Sequence, residues 1–110
     1  MIAKLLLDHL GEALSVPVVM EAPDQQTDYV LIDQTGSRRT NHIITTTFAI
    51  QSYGRSLYEA MLLNQRVEAA MDGFAELDEI TKVELETDYN FTNTATKQYR
   101  WQAVYQITHY

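Results

Sequence analysis

The chain has 110 residues, no cysteine and a formal net charge of −7. A chain of this length forms one domain with a modest hydrophobic core, so residues 1–110 are predicted to be a single domain. The absence of cysteine excludes a disulfide framework, a thiol nucleophile and a zinc–thiolate site, and the acidic balance argues against a protein that wraps nucleic acid.

The first predicted element is an amphipathic helix near the N-terminus. Apolar residues recur there at spacings of three and four, and Pro17 ends the pattern because proline disfavours helix in the residue before it. The apolar run at residues 5–7 is broken by Asp8 and no cleavage site follows it. We therefore expect neither a signal peptide nor a membrane span, and predict a soluble protein made in a cytoplasm.

Strands are predicted next in the chain. Residues 18–20 form a short strand, residues 21–28 a polar loop, and residues 29–34 and 41–53 two longer strands. Gly36, in the segment TGSRRT between them, is expected to supply the positive φ of a hairpin turn. Alternation in the longer strand predicts one core-facing set of side chains: Ile44, Thr46, Phe48 and Ile50.

The second helix has the clearest sequence signals. Ser56 and Glu59 match a capping box, with the hydroxyl first and the carboxylate three residues later. Gly73 stands where a C-terminal cap is expected. Between them runs an apolar stripe that predicts the buried face: Ala60, Leu63, Val67, Ala70, Met71 and Phe74.

Two alternating segments at the end of the chain, 80–91 and 98–110, are predicted to pair antiparallel across the polar loop TNTATK. The inward set is Val83, Leu85, Tyr89, Tyr99, Trp101, Ala103, Tyr105 and Ile107. The outward set includes an acidic face of Glu84, Glu86 and Asp88, which Arg100 could pair with. The whole pattern predicts an α+β fold in the order α-β-β-β-α-β-β: a mostly antiparallel sheet of four to five strands with both helices on one face.

No arrangement with a recognisable catalytic chemistry is present in the sequence. His9, His42 and His109 lack ligand spacing, the acidic segment lacks the EF-hand pattern, and nucleophile-elbow and phosphate-loop motifs are missing. We expect no enzyme, no cofactor and no metal site. His9 is expected to lie at the edge of the core with a satisfied ring nitrogen, and His109 to be solvated.

The pair Arg38-Arg39 raises the question of a phosphate-binding loop. Such a loop usually opens a helix, where free backbone N–H groups face the anion, whereas this segment joins two predicted strands. We interpret it as a hairpin tip whose arginines face another protein. The candidate interface loop comprises Gly36, Ser37, Arg38, Arg39, Thr40 and Asn41.

Residues 29–73, YVLIDQTGSRRTNHIITTTFAIQSYGRSLYEAMLLNQRVEAAMDG, carry a resemblance to a known family. A YVLI strand, a TGSRRTN hairpin, a strand ending FAIQSYG and a helix opening SLYEA and closing VEAAMDG follow one another. This succession resembles the tail-terminator and minor-capsid proteins of long-tailed bacteriophages. The family often has tryptophan where this chain has the step Tyr53-Gly54.

The resemblance implies a structural protein without cofactor or catalysis. Family members form a ring, commonly a hexamer, that caps the tail tube and contacts the tail-tube protein and the head connector. The protein would then be found in the host-cell cytoplasm and later in the virion. DNA would pass the ring without specific binding, and Glu84, Glu86 and Asp88 would line its lumen or rim. A head-completion or connector adaptor is the close alternative; a small ligand- or protein-binding module unrelated to phages is a more distant one.

Overall fold

The computed structural model describes residues 1–23 and 28–110. These residues form α1 (Ile2–Ala13), β1 (Val18–Val19), β2 (Tyr29–Thr40), β3 (Ile43–Gly54), α2 (Leu57–Phe74), β4 (Ile80–Asn90) and β5 (Tyr99–His109). The strands make one five-stranded sheet in the order β1-β2-β3-β5-β4. The α+β class and the order of elements are confirmed. The predicted loop at 21–28 includes residues 24–27, which lie outside the described residues.

The sheet is mixed, and the prediction of a mostly antiparallel sheet is corrected in this respect. β1 runs parallel to β2 through the pairs Val18–Val30 and Val19–Leu31, while the pairings β2–β3, β3–β5 and β4–β5 are antiparallel. The Val30 amide also donates to the Pro17 carbonyl at 2.9 Å. A strand of two residues has too little alternation to reveal its direction in the sequence.

A single hydrophobic core joins both helices to alternate residues of the strands. We call the sheet face that carries Ile32, Ile50 and Ala103 the core face, and the opposite one the outer face. Burying each large apolar side chain in such a core contributes about 1.5–3 kcal/mol. Fully buried members are Leu6, Leu10, Val30, Ile32, Phe48, Ile50, Val67, Phe74, Ala103 and Ile107.

The second helix begins as the capping box predicts. The Ser56 Oγ accepts a hydrogen bond from the Glu59 amide at 3.2 Å. The prediction for Gly73 is wrong, because this residue lies inside α2 and no glycine among the described residues has a positive φ. Gly73 instead packs against α1, where a Cβ would lie 3.6 Å from the His9 ring.

The prediction for His9 is confirmed, and the prediction for His109 is wrong. His9 donates from Nε2 to the Ala70 carbonyl at 2.7 Å, which confirms its place at the edge of the core. His109 is buried, and its Nε2 is 2.9 Å from the Thr46 hydroxyl, so its predicted solvation is wrong. The cause is that β5 remains paired on both sides to its last residue, with Ile44 and with Ile80.

Candidate protein interface

Residues 33–43 form an exposed extension of the β2–β3 hairpin, which we call the arm. Every residue of the arm is exposed, although β2 and β3 stay paired up to Thr40 and Ile43. β1 covers the outer edge of β2 only at Val30 and Leu31. Within the described residues, the edge of β2 beyond this point therefore has no neighbouring strand and leaves backbone N–H and C=O groups open for pairing.

The turn of the arm lies at Asn41 and His42, five residues after the predicted position. Their φ values are 50° and 70°, and a tight two-residue turn with positive φ at both positions suits the twist of a hairpin. Gly36 has no positive φ; it lies within β2, beside a bulge between Gln34 and Gly36. Asparagine and histidine both tolerate the left-handed conformation better than most residues. The dipeptide Asn41-His42 was thus the overlooked signal.

This turn changes the geometry of the candidate interface loop. Gly36, Ser37, Arg38, Arg39 and Thr40 belong to strand β2, and only Asn41 lies in the turn. Arg38 pairs with Thr45 on the outer face, and Arg39 pairs with Ile44 on the core face. Because successive strand residues point to opposite faces, the two guanidinium groups cannot close on one phosphate. Neither has an ion pair within the described residues.

Strand β4 forms the opposite edge of the sheet and carries the predicted acidic face. Register shifts between Ile80 and Lys82 and between Leu85 and Thr87 mark two bulges. Each extra residue exchanges the faces of all residues beyond it. The prediction that Glu84, Glu86 and Asp88 share one face is therefore wrong. Glu84 pairs with Gln106 on the outer face, Asp88 pairs with Ala103 on the core face, and Glu86 is the extra residue between them.

Asp88 accepts a hydrogen bond from the Trp101 indole at 3.3 Å and lies beside Glu68 of α2. Glu68 in turn accepts from the Asn64 amide at 2.8 Å. Burial raises the pKa of Glu68, and the neighbouring negative charge of Asp88 and a hydrogen bond to it raise it further. The third acid of the predicted row therefore serves a contact between sheet and helix.

The outer face carries an organised polar network. The Gln51 amide donates to Gln102 at 2.8 Å, the Tyr53 hydroxyl donates to Gln51 at 2.9 Å, and Gln102 donates to the Tyr89 hydroxyl. Arg100 donates to the Tyr53 hydroxyl at 2.9 Å. Gln51 and Gln102 are 51 positions apart in the chain, so their partnership could not be predicted without the strand order.

Aromatic rings surround this network and occupy its arginine. Tyr29 and Tyr53 stack with ring centroids 4.3 Å apart, and the Arg100 guanidinium lies 4.4 Å from the Phe91 ring centroid. The predicted pairing of Arg100 with the acidic face is wrong, because its donors reach Tyr53 and the Phe91 carbonyl. The interior of the outer face is thus satisfied internally, and the open bonding groups are at the two edges.

A comparison with known proteins gives no family for this chain. No protein-family model matches it, and a search of curated proteins finds no significantly similar sequence. Neither helix of the described structure is both long and apolar enough to cross a membrane. In the same part of the chain, no cluster of three or more His, Cys, Asp or Glu side chains is arranged to hold a metal ion.

Proposed function

We propose that the protein is a structural phage-assembly protein of the tail-terminator type. In this proposal several copies form a ring, a hexamer by the family resemblance, that caps the tail tube and joins it to the head connector. The observation that carries the proposal is the arm: eleven consecutive exposed residues, 33–43, held in a paired hairpin with an uncovered edge.

An exposed hairpin edge makes a monomer prone to aggregation, whereas in an assembly the same edge can bind a neighbouring subunit. Exposed strand edges recruit further strands, and soluble monomers usually shorten, cover or charge them. A ring requires heterologous interfaces, in which two different patches of the same surface meet. We also propose that both helices pack on one face of the sheet. This arrangement fits the role, because the outer face and both edges of the sheet are then available to neighbouring subunits.

The proposed partners follow from the resemblance and from the charges of the two edges. Arg38 and Arg39 have no ion pair within the described residues, so both are available to an acidic sister subunit, tail-tube protein or connector. DNA would pass the ring without specific binding, because a net charge of −7 repels phosphate. Glu84 and Glu86, exposed on β4, remain proposed lumen or rim residues. The proposed locations are the host-cell cytoplasm and then the virion, with no cofactor and no catalysis.

The double variant Arg38→Ala/Arg39→Ala tests the proposal. The free energy of unfolding should change by no more than about 0.5 kcal/mol, because both side chains are exposed and have no ion pair in the part of the chain that the structure describes. Assembly, measured as rings in negative-stain images and as mass in solution, should be impaired. The control is Arg66→Ala, which removes an exposed positive charge from α2. Normal rings from the arm variant would refute the interface role of these arginines.

The close alternative, a head-completion or connector adaptor, would use the same arm. The two roles differ in the partner: a terminator binds the end of the tail tube, whereas an adaptor binds the connector. Binding of the purified protein to each assembly, with the arm variant as control, separates them.

A further inference from the structure

The two edges of the sheet carry opposite charge. The arm edge, residues 33–40, holds Arg38 and Arg39 against one acid, Asp33. The β4 edge holds Glu84, Glu86 and Asp88 against one lysine, Lys82, and Asp88 is turned to the core face. Neither edge is covered by a further strand of the described residues.

We propose that the occupant of the arm edge is the β4 edge of a second copy of this chain, so that the sheet continues from one subunit to the next. The inference rests on the proposed self-assembly and names its interface. The directions of the strands allow it. Three successive antiparallel pairings make β2 and β4 of one subunit run in opposite directions. If a neighbouring subunit is related to the first by rotation about an axis parallel to the strands, its β2 therefore runs antiparallel to β4 of the first subunit.

The charges select the alignment of the two edges. Arg38 lies at the level of Lys82 across its own sheet, through Thr45 and Thr108. A neighbour docked at equal height would therefore bring Arg38 against Lys82, a repulsive pair. Sliding the neighbour by two residues toward the start of β2 places Arg38 opposite Glu84 instead, whose carboxylate lies 3.5 Å from the Lys82 ammonium of its own subunit and would exchange that exposed partner for Arg38. Both side chains then lie on the outer face, as a cross-strand ion pair requires.

The slide also moves β1 of the neighbour along the β4 edge. At equal height, β1, which covers Val30 and Leu31, would occupy the level of Tyr89 and Asn90 at the end of β4. After the slide it lies at the level of Phe91 and Thr92, where the Phe91 amide still donates to the Arg100 carbonyl of β5. All of β4 is then free to pair, and residues 91–93 have to move aside from β1. Two-fold pairings of like edges would instead oppose arginine to arginine or acid to acid, which is unfavourable.

The absence of cysteine in the chain makes the test direct, because each introduced cysteine is the only thiol. The alignment places Ser37 of one subunit opposite Leu85 of the next. Chains carrying Ser37→Cys and Leu85→Cys are mixed and oxidised mildly. We expect a cross-linked dimer in the mixture and little in either variant alone. In the control mixture, a chain carrying Gln65→Cys, at an exposed position on α2, replaces one of the two cysteine variants.

A charge reversal tests the alignment itself. Arg38→Glu in the Ser37→Cys chain should lower the cross-linked yield by about fivefold or more, since it sets like charges opposite each other. Glu84→Arg in the Leu85→Cys chain should restore it. Cross-links within a single variant would contradict the proposal in favour of two-fold pairing.

The mass of the unmodified chain is measured in parallel, because it separates the two proposals. If the chain forms oligomers but the Ser37–Leu85 cross-link does not form, the edge interface is refuted while the proposal of a ring still stands. A chain that stays monomeric at all concentrations would overturn both. The unfolding midpoint of each variant verifies that it is folded.

Discussion

The position of the arm's turn can be tested by two substitutions whose predicted effects depend on it. Gly36 lies in a strand without positive φ, and a Cβ there would have no atom within 4 Å. Glycine in a strand costs roughly 0.5–1 kcal/mol relative to alanine because its unfolded state is more flexible. Gly36→Ala should therefore increase the free energy of unfolding by up to that amount. If Gly36 formed the turn with a positive φ, the same change would decrease it by about 1 kcal/mol or more.

His42 provides the complementary perturbation. Its φ of 70° costs a residue with a side chain about 1–2 kcal/mol. Glycine removes this strain but adds back roughly 0.5–1 kcal/mol of chain entropy. His42→Gly should therefore stabilise the protein by about 0–1.5 kcal/mol.

Urea unfolding followed by the fluorescence of Trp101, the single tryptophan, measures both variants. With a slope of roughly 1–2 kcal/mol per molar, the midpoints should rise by up to about 1 M for Gly36→Ala and up to about 1.5 M for His42→Gly. Because the arm lies outside the core, amide hydrogen exchange of Thr45 and Thr47 is measured as well, to detect a change confined to the arm. Destabilisation by Gly36→Ala together with no gain from His42→Gly would refute the assignment of the turn.

Two further predictions concern the core side of the fold. Gly54→Ala should lower the free energy of unfolding, measured in urea, by about 1–3 kcal/mol, because the added Cβ would lie 2.7 Å from the Ala60 backbone nitrogen. The control is Gly11→Ala, at an exposed helix position with open space around it, and this change should raise the free energy of unfolding by up to about 1 kcal/mol. Equal effects of the two changes would contradict the close approach of strand and helix. Glu68→Gln tests the pH dependence of stability. Because the pKa of Glu68 is raised in the folded chain, the folded state binds this proton more tightly than the unfolded state does. The resulting contribution to stability is full below the unfolded-state pKa of 4.5 and is lost as pH rises through the folded-state pKa. Wild type should therefore gain stability relative to the variant as pH falls from 8 toward 4.5, and a difference in midpoint that stays constant with pH would disprove the raised pKa of Glu68.

The sequence predicted the elements well where a signal is local. The Ser56 cap, the periodicity of α2 and the alternation of β5 all follow from contacts within a few residues, and the structure confirms them. The core set of β3 was also predictable, because Thr46, Phe48 and Ile50 alternate strictly and all are buried.

The candidate interface was less predictable because its geometry depends on single extra residues. Gly36 gave a stronger turn signal than Asn41-His42, which shifted the predicted tip and hid the alternation of Arg38 and Arg39. The bulge at Leu85 and Thr87 leaves no clear mark in the sequence, yet it separates Asp88 from Glu84. Likewise, nothing local pairs Gln51 with Gln102 or Thr46 with His109.

Sedimentation equilibrium over increasing concentration measures whether the chain assembles with itself through the arm. We expect a closed oligomer, a ring of about six copies by the resemblance, whose population grows with concentration and falls when Arg38 and Arg39 are replaced. A strict monomer up to millimolar concentration, or an oligomer unaffected by the arm variant, would contradict it.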